Sequence, residues 1–90
     1  MISRQVVVAT PHGLEEEPAG VFCTAARGQP ARVTVATADG RSADARSVLA
    51  IIELAVGGGQ EVTLLADEAD PGAQSSVDTL AGLLASDLNA

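Results

Sequence analysis

Ninety residues make one domain with a single core, and with Phe22 the only aromatic side chain that core must be built from Val, Leu, Ile and Ala. Twelve acidic residues against five basic ones give a net charge of −7, and every basic residue is arginine. Binding nucleic acid by neutralising its phosphates is therefore disfavoured, and the chain has no lysine for a Schiff base or a phosphate loop.

Cys23 is the only cysteine, which excludes an internal disulfide and a cysteine-based zinc site; within an apolar helical stretch it reads as a small buried hydrophobe. The apolar run Val6 to Ala9 is too brief for a signal-peptide core or a membrane span, so a cytoplasmic protein is expected, without membrane insertion.

Taken in order, Ser3 to Thr10 carries the β-branched run Val6, Val7 and Val8 and stops at Pro11, which predicts a strand. A first helix starts near Glu16, because Pro18 is tolerated in a first turn. Val21, Phe22, Ala25 and Ala26 mark its apolar face, and Gly28 and Pro30 end it. Ala31 to Ala36 sets Val33 and Val35 on one side and Arg32 and Thr34 on the other, a strand with one wet face. Asp39-Gly40 is a hairpin turn signal, returning Arg41 to Asp44 antiparallel.

Ser47 is a favoured N-cap for the next helix. That helix is apolar nearly all round, with Val48, Leu49 and Ile52 on one side and Ile51 and Leu54 on another. A short helix on a sheet cannot bury both sides, so an apolar surface patch is expected. Gly57, Gly58 and Gly59 read as a helix C-cap and turn. Glu61 to Ala66 is a fourth strand, and Pro71-Gly72 introduces a last helix with Val77, Leu80, Leu83, Leu84 and Leu88 at helical spacing. The resulting order βαββαβα is an α+β pattern, with helices stacked on one face of a mainly antiparallel sheet.

The run GLEEEPA, Gly13 to Ala19, resembles the GLHARPA signature of HPr, the histidine-containing phosphocarrier of the bacterial sugar phosphotransferase system. Gly13, Leu14, Pro18 and Ala19 match. Glu15 stands at the phosphohistidine position, Glu16 at that of a small alanine, and Glu17 at that of the phosphate-pairing arginine. RSVLAIIELAVGGGQEV, Arg46 to Val62, resembles the family's second signature, and the likeness covers nearly the whole chain. It implies an HPr-like open-faced β-sandwich spanning residues 1–90, with four strands and three helices on one side. The family's members are carriers without catalytic activity of their own, with no cofactor, and Crh-type members lack the acceptor histidine and act as regulators.

By resemblance, then, the chain is a non-phosphorylatable or phospho-mimicking regulatory or interaction module. Its partners would be phosphotransferase-system proteins such as enzyme I, or a transcriptional regulator, docked through Val48, Leu49 and Ile52. Ser47 matches a regulatory position that a dedicated kinase phosphorylates in some bacteria; the residue alone reads as a cap. The alternative is an active phosphocarrier that uses His12 or an acyl phosphate on Glu15. His12 precedes Gly13 in the loop and reads as an exposed loop residue. Metal binding by the acidic triplet is disfavoured, because successive helical side chains point about 100° apart.

Overall fold

The computed structural model describes residues 1–88 and has the order β1 (Ile2–Val7), α1 (Glu16–Arg27), β2 (Thr34–Thr37), β3 (Ser42–Asp44), α2 (Val48–Leu54), β4 (Glu61–Ala66) and α3 (Ala73–Leu84). The four strands form one antiparallel sheet in the spatial order β1-β4-β2-β3. Register follows the alternation in the sequence. Val62, Leu64 and Ala66 of β4 lie opposite Val6, Arg4 and Ile2 of β1, and Val35 of β2 lies opposite Leu64. These positions share the face covered by the helices, while Gln5, Thr63 and Ala36 fall on the open face.

The core is aliphatic around one ring. Phe22, Leu14, Ile51, Leu64, Leu80 and Leu84 are its largest fully buried side chains, joined by Val8, Val33, Val35, Val62 and Val77. Each such side chain contributes about 1.5 to 3 kcal/mol by leaving water.

Several boundaries differ from the sequence pattern. The first strand stops at Val7 rather than Thr10, yet Val8 stays hydrogen-bonded: its N–H donates to the Gln60 carbonyl at 3.0 Å, and its own carbonyl accepts from Gly59 at 2.8 Å. The chain has left strand geometry there and pairs with the glycine loop. The second strand is Thr34–Thr37 rather than Ala31 to Ala36, although Val33 is buried and its carbonyl accepts from Ala45. On α1 the buried face is Pro18, Ala19, Phe22, Cys23 and Ala26, and Val21 is exposed. Leu88 lies beyond the end of α3.

The Asp39-Gly40 hairpin forms as its sequence predicts, closed by a hydrogen bond from Thr37 N–H to the Arg41 carbonyl at 2.9 Å. The Thr37 hydroxyl donates to the Asp39 carboxylate, and Arg41 pairs with it at 2.8 Å. Together they hold the Asp39 carboxyl below its ordinary range, so their support for the turn is present at neutral pH and fades as the pH falls through that lowered value.

Cys23 is fully buried in α1. Burial pushes its thiol above the ordinary value; Arg27 opposes the shift and Asp44 adds to it. The folded chain therefore keeps the proton longer than the unfolded chain, and stability falls as pH rises past the ordinary thiol range. In the native protein at neutral pH, reaction with an aromatic disulfide reagent should be at least about a thousandfold slower than in urea, since attack requires opening of the core. Labelling at the rate of a free thiol would show that α1 does not pack as described.

Candidate functional site

The loop that enters α1 is held by backbone and by two close glycine contacts. Gly13 donates to the Thr10 carbonyl at 2.9 Å, and Leu14 donates to the Val56 carbonyl at 2.9 Å. Thr10 is fully buried, and its hydroxyl oxygen accepts from the N–H of Leu88 at 3.0 Å. Gly13 has φ +76°, and a Cβ there would fall 2.0 Å from the Val56 carbonyl oxygen. From the other side, a Cβ on Gly58 would fall 2.2 Å from the Pro11 carbonyl oxygen. The loop at residues 10–14 and the segment after α2 thus touch backbone to backbone.

This contact changes the reading of the glycine triplet. The residue that stops α2 is Ala55, left-handed at φ 55°, with its N–H bonded to the Ile52 carbonyl at 3.0 Å. Of the three glycines it is Gly58 that lets the chain after the helix lie against the backbone of the loop at residues 10–14, since a Cβ at Gly57 or Gly59 would meet nothing within 4 Å. Gly13→Ala should cost at least about 2 kcal/mol, read from urea denaturation, because it adds both left-handed strain and a clash with backbone. A cost below half a kilocalorie, on the order of a surface substitution, would mean that the two segments can separate freely.

Glu15 is the N-cap residue of α1, in extended conformation, and its carbonyl accepts from Ala19 N–H at 2.8 Å. Its side chain makes no capping bond. Pro18 has no N–H to offer, so Glu16 and Glu17 supply the first-turn donors that an anion would use. Glu15, Glu16 and Glu17 are all exposed. They line one open depression of about 750 Å³ together with His12, Leu14, Pro18, Ile52, Ala55, Val56 and Gly57.

No arginine lines that depression among the described residues. Arg4 pairs with Asp78 at 3.0 Å, Arg32 with Asp44 at 3.5 Å and Arg41 with Asp39 at 2.8 Å. Arg46 donates to the carbonyl of Gln29 at 3.0 Å and so ties the segment after α1 to the start of α2. Arg27 sits in the last turn of α1, away from the helix start. The helix N-terminus keeps its partial positive charge, but three carboxylates surround it and no cation offsets an incoming phosphate.

The predicted residues divide by position. His12 is exposed, in the loop, and faces the same depression as Glu15 and Glu17. Ser47 caps α2, its hydroxyl oxygen accepting from Ala50 N–H at 3.2 Å. On α2, Ile51 and Leu54 are buried and Leu49 is 67% exposed, with Val48 and Ile52 half-buried beside it. Ile52 also reaches the depression, whereas Val48 and Leu49 lie outside it. Sequence reasoning missed the part of the wall formed by Ala55, Val56 and Gly57; the glycine triplet was the available signal. Among the described residues, no three His, Cys, Asp or Glu side chains converge on a metal-sized site, and no helix is long and apolar enough to cross a membrane.

Comparison with known proteins agrees with this architecture. Residues 2–86 match the PTS-HPr family, described as the PTS HPr component phosphorylation site. The chain is 39% identical over 88 residues to the phosphocarrier protein HPr of Streptomyces coelicolor, covering 98% of this chain and 92% of that protein. It is 30% identical over 70 residues to the HPr-like protein Crh of Halalkalibacterium halodurans, covering 78% of this chain and 82% of that one. An HPr structure from Thermoanaerobacter tengcongensis superimposes with a TM-score of 0.88 at 22% identity, covering 100% of this chain and 98% of that one, a likeness of fold. The chain belongs to the HPr family of the phosphotransferase system.

Proposed function

We propose that this family member is a cytoplasmic regulatory or interaction module that carries no phosphoryl group at the position of the family histidine and has no catalytic activity of its own. The observation that carries the reading is Glu15 at the N-cap of α1, flanked by Glu16 and Glu17, with no arginine on the depression they line. The family signature sets a histidine nucleophile at the helix start with an arginine two residues on; here both positions carry carboxylates, and the one imidazole on the depression, His12, lies in the loop before the helix. Glu15 holds a permanent negative charge where an active carrier holds a transient one. A carboxylate has about half the charge of a phosphate and fewer acceptor oxygens, so the imitation is partial.

In this reading Val48, Leu49 and Ile52 dock the partner, enzyme I or a transcriptional regulator of the system. Ser47 serves first as the α2 cap, and regulatory phosphorylation is a second use of the same hydroxyl. The likeness to Crh supports a regulatory role, while the higher identity to a phosphocarrier keeps one rival in view. That rival is phosphoryl transfer to His12, and it draws support from His12 facing the same depression.

Incubation with phosphoenolpyruvate and a compatible enzyme I, followed by intact mass, tests both. The expected result is no phosphoryl mass gain at the loop. A gain that survives Glu15→Ala and disappears with His12→Ala would make His12 the acceptor and overturn the proposal.

A further inference from the structure

The outer face of α2 joins an exposed apolar surface to a border on which glutamates outnumber the one nearby cation, Arg41, which shares a shallow depression with Glu53 and is itself paired with Asp39. Leu49 is 67% exposed, and Val48 and Ile52 flank it half-buried. Glu53, one turn after Leu49, is exposed on the same face. Ile52 continues into the depression whose far wall carries Glu15, Glu16 and Glu17. Among the described residues, none of these four glutamates forms an ion pair, whereas Asp39, Asp44, Asp78 and Glu68 are each paired elsewhere.

We infer that this face selects a protein partner whose apolar cleft is bordered by lysine or arginine side chains. The inference rests on the docking reading above and adds the sign of the partner's charge. Apolar side chains left in water need an apolar counter-surface, which identifies the occupant as a protein rather than a small cation. Four unpaired carboxylates around them repel an acidic border and attract a basic one. Glu17 sharpens the choice, because the family signature has arginine there. A partner shaped to receive that arginine meets a like charge in this chain, and discrimination by repulsion is as effective as discrimination by attraction.

The test is an NMR titration of the isotope-labelled protein with a synthetic amphipathic helix carrying leucine on one face and lysine on the other, beside a twin with glutamate for lysine. The lysine peptide should shift the amides of Glu15 to Glu17 and Val48 to Glu53. It should bind at least about tenfold more tightly than its twin and weaken at high salt. Glu17→Lys with Glu53→Lys should lower its affinity at least about tenfold, while Glu61→Lys with Asp70→Lys, the same change of net charge placed elsewhere, should lower it less than about twofold. Equal losses from the two pairs, or a twin that binds as well, would overturn the inference.

Leu49→Ser and Ile52→Ser separate this failure from failure of the docking reading. If they abolish binding while the charge variants have no effect, the face docks and only its charge preference is wrong. If they too leave binding unchanged, the docking face itself falls. Retained amide dispersion in each variant establishes that the fold survives.

Discussion

Glu15→His combined with Glu17→Arg should let the chain accept a phosphoryl group at the start of α1 from phosphoenolpyruvate and a compatible enzyme I, where the unaltered chain is proposed to accept none. The scaffold for that change is in place. Gly13 and Gly58 press the loop against the segment after α2, Leu14 is anchored to the Val56 carbonyl, and position 15 is the N-cap of α1. Histidine supplies the nucleophile. Arginine removes one negative charge, adds a positive one, and offers paired donors to the incoming phosphate. Either change alone should do less: histidine alone keeps Glu16 and Glu17 beside the phosphate, and arginine alone leaves no nitrogen to attack. Intact mass and acid lability of the adduct are the measurements. A double variant that folds and still binds enzyme I but gains no mass would show that Glu16 has reshaped the site beyond this repair.

The order of elements was legible because each carried its own local signal: a β-branched run, an Asp-Gly turn, a serine cap, or apolar residues at helical spacing. Val62 and Leu64 inward, with Thr63 outward, needed only the period of a strand. The phase of α1 was harder. Alanine is apolar wherever it sits, so Ala25 and Ala26 did not separate the face containing Val21 from the face containing Cys23. Only contact with the rest of the core put Val21 in solvent.

The site was legible in its place along the chain and not in its shape. A helix beginning near Glu16 could be read from Pro18 and the apolar spacing after it, and Glu15 is its N-cap. That Val56 and Gly57 form the opposite wall could not be read, since it depends on two segments more than forty positions apart meeting backbone to backbone. The glycine triplet advertised something unusual, but a helix cap and a close approach leave the same mark on a sequence.

Leu49→Glu, and separately Ile52→Glu, should abolish association with the partner proposed to dock on α2 while leaving the fold intact. Leu49 lies on the solvent side of α2, opposite Ile51 and Leu54, whereas Ile52 is half-buried and packs against the edge of the core, so Leu49→Glu is the cleaner test and Ile52→Glu needs its fold checked. A central apolar anchor works by filling a pocket from which water is excluded, and its loss costs about 2 kcal/mol or more, roughly thirtyfold in affinity. Glutamate goes further than truncation, because it carries an unpaired charge into that pocket. Leu49, the more exposed residue, should show the larger loss; Ile52, which is half-buried and also borders the depression, should disturb the loop amides as well. Isothermal titration with enzyme I measures the affinity, and thermal unfolding of each variant within a few degrees of the parent checks the fold. Undiminished binding by both variants would remove α2 from the interface and leave the acidic helix start alone to account for whatever this protein recognises.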